Sequence, residues 1–141
     1  MGTVDTEKIQ KYEEFKSFVT YMDIITYALA LTKTEKFDAN PDEWHKVLYE
    51  ICRKYKDRIP ELKRIYFVRS DPLPPQSEQI DHLIKVLSMS HEASMPNPRY
   101  PTIDITNDKK QIIKGREKKR LEKYSGEIQN ISLLLERSIG R

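Results

Sequence analysis

The side chains with chemical potential fall into one dense group and a few scattered ones. Between Lys109 and Lys123 stand eight Lys or Arg residues and two Glu, a local charge of +6 in a chain whose net charge is +3. The rest of the chain is therefore at about −3, so a basic block rides on a mildly acidic body. Its centre, Lys114 to Arg120, reads KGREKKR and has no apolar side chain. A run of this kind can neutralise phosphate or an acidic protein surface. Lys109, Lys110, Lys114, Lys118, Lys119 and Arg120, with Arg99 upstream, are the candidate contacts for nucleic acid or an acidic partner. The simpler expectation is a solvated link between two packing contacts, because these residues have nothing apolar to bury.

Catalytic and metal-binding patterns are sparse. His45, His82 and His91 lie far apart, and the pairs Asp81-His82 and His91-Glu92 flank one expected helix. Nine residues of helix is about two and a half turns, which sets 82 and 91 at different ends and sides. The chain has four glycines and no GxGxxG, phosphate-loop or HExxH pattern. The lone cysteine, Cys52, excludes an intramolecular disulfide and sits in an apolar stripe, the place of an inert core thiol. No cofactor, metal or catalytic residue is expected, and the expected role is non-enzymatic.

Length and composition fit one domain: 141 residues, 38% apolar and 33% charged. The longest apolar-rich run, Met22 to Leu31, contains Asp23 and falls short of the roughly 20 residues that span a bilayer. The opening MGTVDTEKIQKYEEFK is too polar for a signal peptide, so a cytoplasmic, membrane-free protein is expected.

The elements that must position these groups are mostly helical. Ile9, Tyr12, Phe15, Val19, Met22, Ile25 and Leu29 recur at helical spacing, predicting one long helix over 5–31 capped by Asp5 or Thr6. Thr32 to Ala39 reads as a polar connection. Asn40-Pro41-Asp42-Glu43 supplies a cap, a proline at the first helical position and acid in the first turn. Trp44, Val47, Leu48, Ile51, Cys52 and Tyr55 then form one stripe. A short element follows Ile59-Pro60, and the three prolines between Ser70 and Pro75 impose a loop. Ser77 to Ser90 is a further helix with Ile80, Leu83, Ile84 and Leu87 on one side. Ala93 to Met95 and Tyr100 to Ile105, around the turn Pro96 to Arg99, read as a hairpin. Thr106 caps a last helix over 107–139, in which Gly115 either ends a first piece or is tolerated, carrying the heptad-like seam Leu121, Tyr124, Ile128, Ile131 and Leu135.

Helix, short helix, helix, hairpin, helix over about residues 40–106, running into the last helix near 115, resembles a winged-helix domain. The resemblance implies a mostly α fold with one small β-hairpin and long terminal helices. It also implies a homodimer through the first and last helices, with the seam as the packing surface. Two features oppose duplex recognition. The loop from Val68 to Gln76 is longer than the usual turn of a helix-turn-helix. The would-be reading helix shows Glu78, Gln79, Asp81, His82 and Lys85, and the carboxylates Glu78 and Asp81 repel phosphate. A regulatory or protein-interaction module is thus the first expectation, a DNA-binding regulator the second, and an enzyme of unknown type the third.

Overall fold

The computed structural model describes residues 19–89 and 102–141. The fold is mostly α, with five helices and one two-stranded antiparallel sheet among the described residues. None of these helices is long and apolar enough to cross a membrane.

Helix α1 (Tyr21–Ala30) is the central one, buried at every position from Ile24 to Ala30. It does not continue back to residue 5 as one rod. Thr20 is extended (φ −114°, ψ 166°) and closes a capping box with Asp23: the Asp23 N–H donates to Thr20 Oγ1, and the Thr20 N–H donates to Asp23 Oδ2 at 3.0 Å. These two bonds satisfy orphan donors of the first turn and set the helix start there. The caps expected at Asp5 or Thr6 lie outside the described residues.

The stretch expected as a plain polar connection contains strand β1 (Lys36–Asp38). It pairs antiparallel with β2 (Thr102–Asp104), Phe37 opposite Ile103, and both of these side chains are fully buried. The described partner of the second expected strand is therefore β1, 60 and more residues upstream. The expected neighbouring strand, 93–95, and its turn lie outside the described residues. The chain end joins the same strand: the Arg141 N–H donates to Lys36 O at 2.9 Å.

Helix α2 (Pro41–Tyr55) starts as its sequence dictates, with Asn40 Oδ1 accepting from the Asp42 N–H at 3.1 Å. All six residues of its expected stripe are buried. A 3-10 turn (Pro60–Arg64) tucks Leu62 under it. The chain then runs extended, and Val68 bridges to Gln76 across the proline loop. Helix α3 (Glu78–Met89) buries Ile80, Leu83 and Leu87.

The last segment is not one helix. Thr106 caps α4 (Asn107–Glu117), which runs through Gly115 without ending there. A turn and a 3-10 element (Glu122–Tyr124) then lead into α5 (Ser125–Ile139). The break lets two arms pack on the same core helix: α4 lies on α1, and α5 lies on both α1 and α2. Leu121 is fully buried at the break.

Candidate functional site

The basic block is split: of its eight cations Lys110 is buried, Lys109, Lys114 and Arg120 are half-buried, and Arg116, Lys118, Lys119 and Lys123 are exposed. Lys110 is 2% exposed, and its Nζ donates to Thr32 O at 2.8 Å, Thr32 Oγ1 at 3.2 Å and Thr34 O. All three ammonium protons thus hold the chain where it leaves α1. Burial, and then the Lys114 charge, hold the Lys110 pKa below that of an ordinary lysine, against Glu35 and Glu136. Arg120 clamps Glu117 with Nη1 at 2.7 and 2.8 Å from its two carboxylate oxygens and reaches Asp23 of the α1 cap at 3.4 Å. Glu117 is 1% exposed and also accepts from Arg116 Nε at 3.0 Å. Lys110 and Arg120 are therefore engaged within the chain as structural ties, and the block is not simply solvated. Lys109 and Lys114 are half-buried, Lys118 and Lys119 are exposed, and Arg99 lies outside the described residues.

The seam is equally internal. Leu121, Ile128, Ile131 and Leu135 are fully buried within the chain, and Tyr124 is half-buried with its hydroxyl donating to Glu61 at 2.9 Å. Its apolar faces are covered by the chain's own helices, so it offers no surface to a second copy.

The remaining reactive side chains are also engaged. His45 is 1% exposed; its Nδ1 accepts from the Ser77 N–H at 3.0 Å, and its Nε2 lies 2.8 Å from Asp81 Oδ1. A ring nitrogen that accepts from a backbone amide carries no proton, so the proton is on Nε2 and points at Asp81. Both nitrogens are taken, and the ring serves as a tertiary cap for α3. Burial pushes the Cys52 thiol up to about 12, which keeps it from forming a thiolate at neutral pH. Among the described residues, no three His, Cys, Asp or Glu side chains come together as a metal site.

Alongside the exposed Arg116, Lys118, Lys119 and Lys123, a second basic stretch is displayed that the sequence pattern signals less plainly. From Arg53 to Arg69 there are seven Lys or Arg and two carboxylates, and every one of the seven cations is exposed. The apolar residues interleaved with them, Tyr55, Ile59, Leu62 and Ile65, occupy the buried face and force the cations outward. Here α2, the 3-10 turn and the extended chain after it enclose a groove of about 400 Å³. Its floor is Cys52, Leu62 and Ile65, its wall Tyr49 and Phe67, and its rim Arg53, Lys56 and Lys63 with one anion, Asp57. Phe67 packs edge-on against Tyr49 at 5.2 Å. The guanidinium groups of Arg53 and Arg69 lie 5.8 and 5.2 Å from the Tyr49 ring centre, and Arg69 also donates to its hydroxyl. Such a groove suits a ligand with an apolar body and negative charge. The signal was present in the sequence as cations interrupting an apolar period; it was weaker to the eye than an unbroken charge run.

Comparison of the chain with protein family models, curated proteins and solved structures gives no match.

Proposed function

We propose that this chain is a non-enzymatic, regulatory protein-interaction module that binds an acidic polypeptide segment in the groove between α2 and the chain from Pro60 to Arg69. The observation that carries this reading is the groove's make-up: an apolar floor, with Arg53, Lys56 and Lys63 on its rim. An apolar anchor filling the floor would supply affinity, and acids meeting the rim would supply rate and choice of partner. The engaged nitrogens of His45 and the protonated thiol of Cys52 support a binding role over a catalytic one. The single buried cysteine fits the cytoplasm. The sequence of α2, the 3-10 turn, α3, β2 and α4 is compatible with a winged-helix-like reading, although the described partner of β2 is β1.

The same cations support a DNA-binding regulator as the second reading. It is the weaker one, because Tyr49 already packs against Arg53, Arg69 and Phe67, and α3 displays Glu78 and Asp81. Fluorescence anisotropy separates the two. The probes are an acidic-apolar peptide, Glu-Ile-Glu-Phe-Glu-Ile-Glu, and a random 20-base-pair duplex. The peptide is expected to bind, and the double variant Arg53→Glu/Lys63→Glu to weaken it at least tenfold. The duplex is expected to bind weakly and to be released steeply by salt. A duplex that binds tighter than the peptide at physiological salt, with sequence preference, would put the DNA-binding reading first.

A further inference from the structure

The segment from Ile65 to Arg69 forms one wall of the groove, and its hydrogen bonds are one-sided. Ile65 is extended (φ −90°, ψ 111°), and exposure then alternates: Ile65 buried, Tyr66 66% exposed, Phe67 half-buried, Val68 66% exposed. A period of two is the mark of a strand. The Val68 N–H donates to Gln76 O at 2.8 Å, and the Gln76 N–H donates to Val68 O at 3.0 Å, so this pair exchanges both its bonds. The Tyr66 N–H donates to Gln79 Oε1 at 3.0 Å, on the same side. In a strand, successive residues send their backbone groups to opposite sides, so those of Phe67 point away from Gln76. Among the described residues, neither the N–H nor the C=O of Phe67 has a hydrogen-bond partner.

We infer that this unpaired edge at Phe67 receives an extended acidic segment of a partner protein as an added strand. The inference rests on the groove reading and specifies the shape of the ligand. A polypeptide supplies both an acceptor for the Phe67 N–H and a donor for its C=O, which is how exposed edges recruit peptides. A phosphodiester backbone supplies only acceptors, and would leave the Phe67 carbonyl facing a polyanion. Charge selects the sequence of the segment: Arg53, Lys56, Lys63 and Arg69 stand around the groove, with Asp57 as its one anion. Alternate side chains of the segment would enter the groove, where a large apolar one fits over Cys52, Leu62 and Ile65. The other set would run beside the exposed Tyr66 and Val68. Edge-to-edge pairing with a second copy is disfavoured, because it would set two cationic rims side by side.

The test uses the full chain with Glu-Ile-Glu-Phe-Glu-Ile-Glu and two versions of it, N-methylated on one or the other alternate set of amides. At saturating peptide, exchange of the Phe67 amide is expected to slow at least tenfold. One methylated version is expected to lose at least tenfold in affinity and the other to bind nearly as well as the parent, since only one set of amides faces the edge. Binding with the Phe67 amide unprotected and both methylated versions intact would overturn the strand addition and leave the groove reading standing. A parent peptide that does not bind at millimolar concentration would overturn both. A Phe67 amide already protected without peptide, in a chain that sediments as a dimer, would put a second copy at the edge and overturn the inference.

Discussion

Two stretches of this chain are strongly basic, and the fold treats them differently: it draws part of one inward and displays every cation of the other. Lys109 to Lys123 carries +6 and Arg53 to Arg69 carries +5. In the first, Lys110 and Glu117 go into the interior, and Arg120 is bound to Glu117 and Asp23. In the second, all the cations face solvent. The cause lies in what stands between the charges. In the stretch from 53 to 69 an apolar residue recurs every three or four positions and fills the buried face, as in any amphipathic element. The stretch from 114 to 120 has no apolar residue, yet α4 must still lay a face on α1. It does so with Lys110, Ile113 and Glu117, at spacings of three and four. A buried charge is tolerated only when partners replace its water: Glu117 is paired with Arg120 and Arg116, and Lys110 is hydrogen-bonded to three oxygens of Thr32 and Thr34.

The contrast can be broken most severely in the seam that follows the basic block. Ile128→Asp places an unpaired carboxylate between α5 and its neighbours, and should cost more than about 4 kcal/mol, leaving little folded protein in urea titrations. A folded variant with an unchanged unfolding midpoint would show that the seam is not part of the core.

Glu117→Ala should cost on the order of 3 kcal/mol, because it strips Arg120 and Arg116 of a buried partner. In a double-mutant cycle with Arg120→Ala, the two losses should fall short of additive by at least about 1 kcal/mol. Additive losses would mean that the pair is not coupled and that the block behaves as a solvated surface.

Lys110→Met should cost roughly 1–3 kcal/mol, because it leaves the Thr32 carbonyl without a donor and the Thr34 carbonyl with only the Thr32 hydroxyl. Lys118→Ala, eight residues on and exposed, should stay within about 0.5 kcal/mol. Equal effects at the two positions, measured by thermal unfolding, would erase the distinction between buried and displayed lysines of one block.

The smallest effect is at the joint between the two regions, where the Tyr124 hydroxyl donates to Glu61. Burial, and then this hydrogen bond and the Glu61 charge, push the Tyr124 phenol up to about 12 from an ordinary value of 10. The folded state therefore keeps a proton that the unfolded chain gives up. The stabilisation is fully present below pH 10 and is lost as pH rises from 10 through 12. Tyr21 and Tyr27 are also pushed up by burial, so ultraviolet titration should show several late phenols, and Glu61→Gln should bring one of them down; an unmoved titration would dissociate Tyr124 from Glu61.

Local sequence determined the elements whose causes lie within a turn or two. Asn40-Pro41 started α2, Thr106 started α4, the stripes of α2 and α3 marked their buried faces, and every member of the seam is buried or half-buried. These follow from capping and from a period near 3.6, which act over three or four residues. The tertiary structure decided what depends on distant partners. Thr20 and Asp23 are a local signal masked by the unbroken apolar period running through them, and their box becomes visible only in the fold. Lys36–Asp38 is a strand because Thr102–Asp104 lies beside it, and Lys110 is interior because Thr32 and Thr34, 76 or more residues away, accept its protons. His45 is a cap because Ser77 is brought to it from 32 positions on. The groove belongs to the same class. Its floor, wall and rim are read separately in sequence, and they become one surface only when the chain after Pro60 folds back along α2, since packing and not periodicity sets which side chains share a cavity.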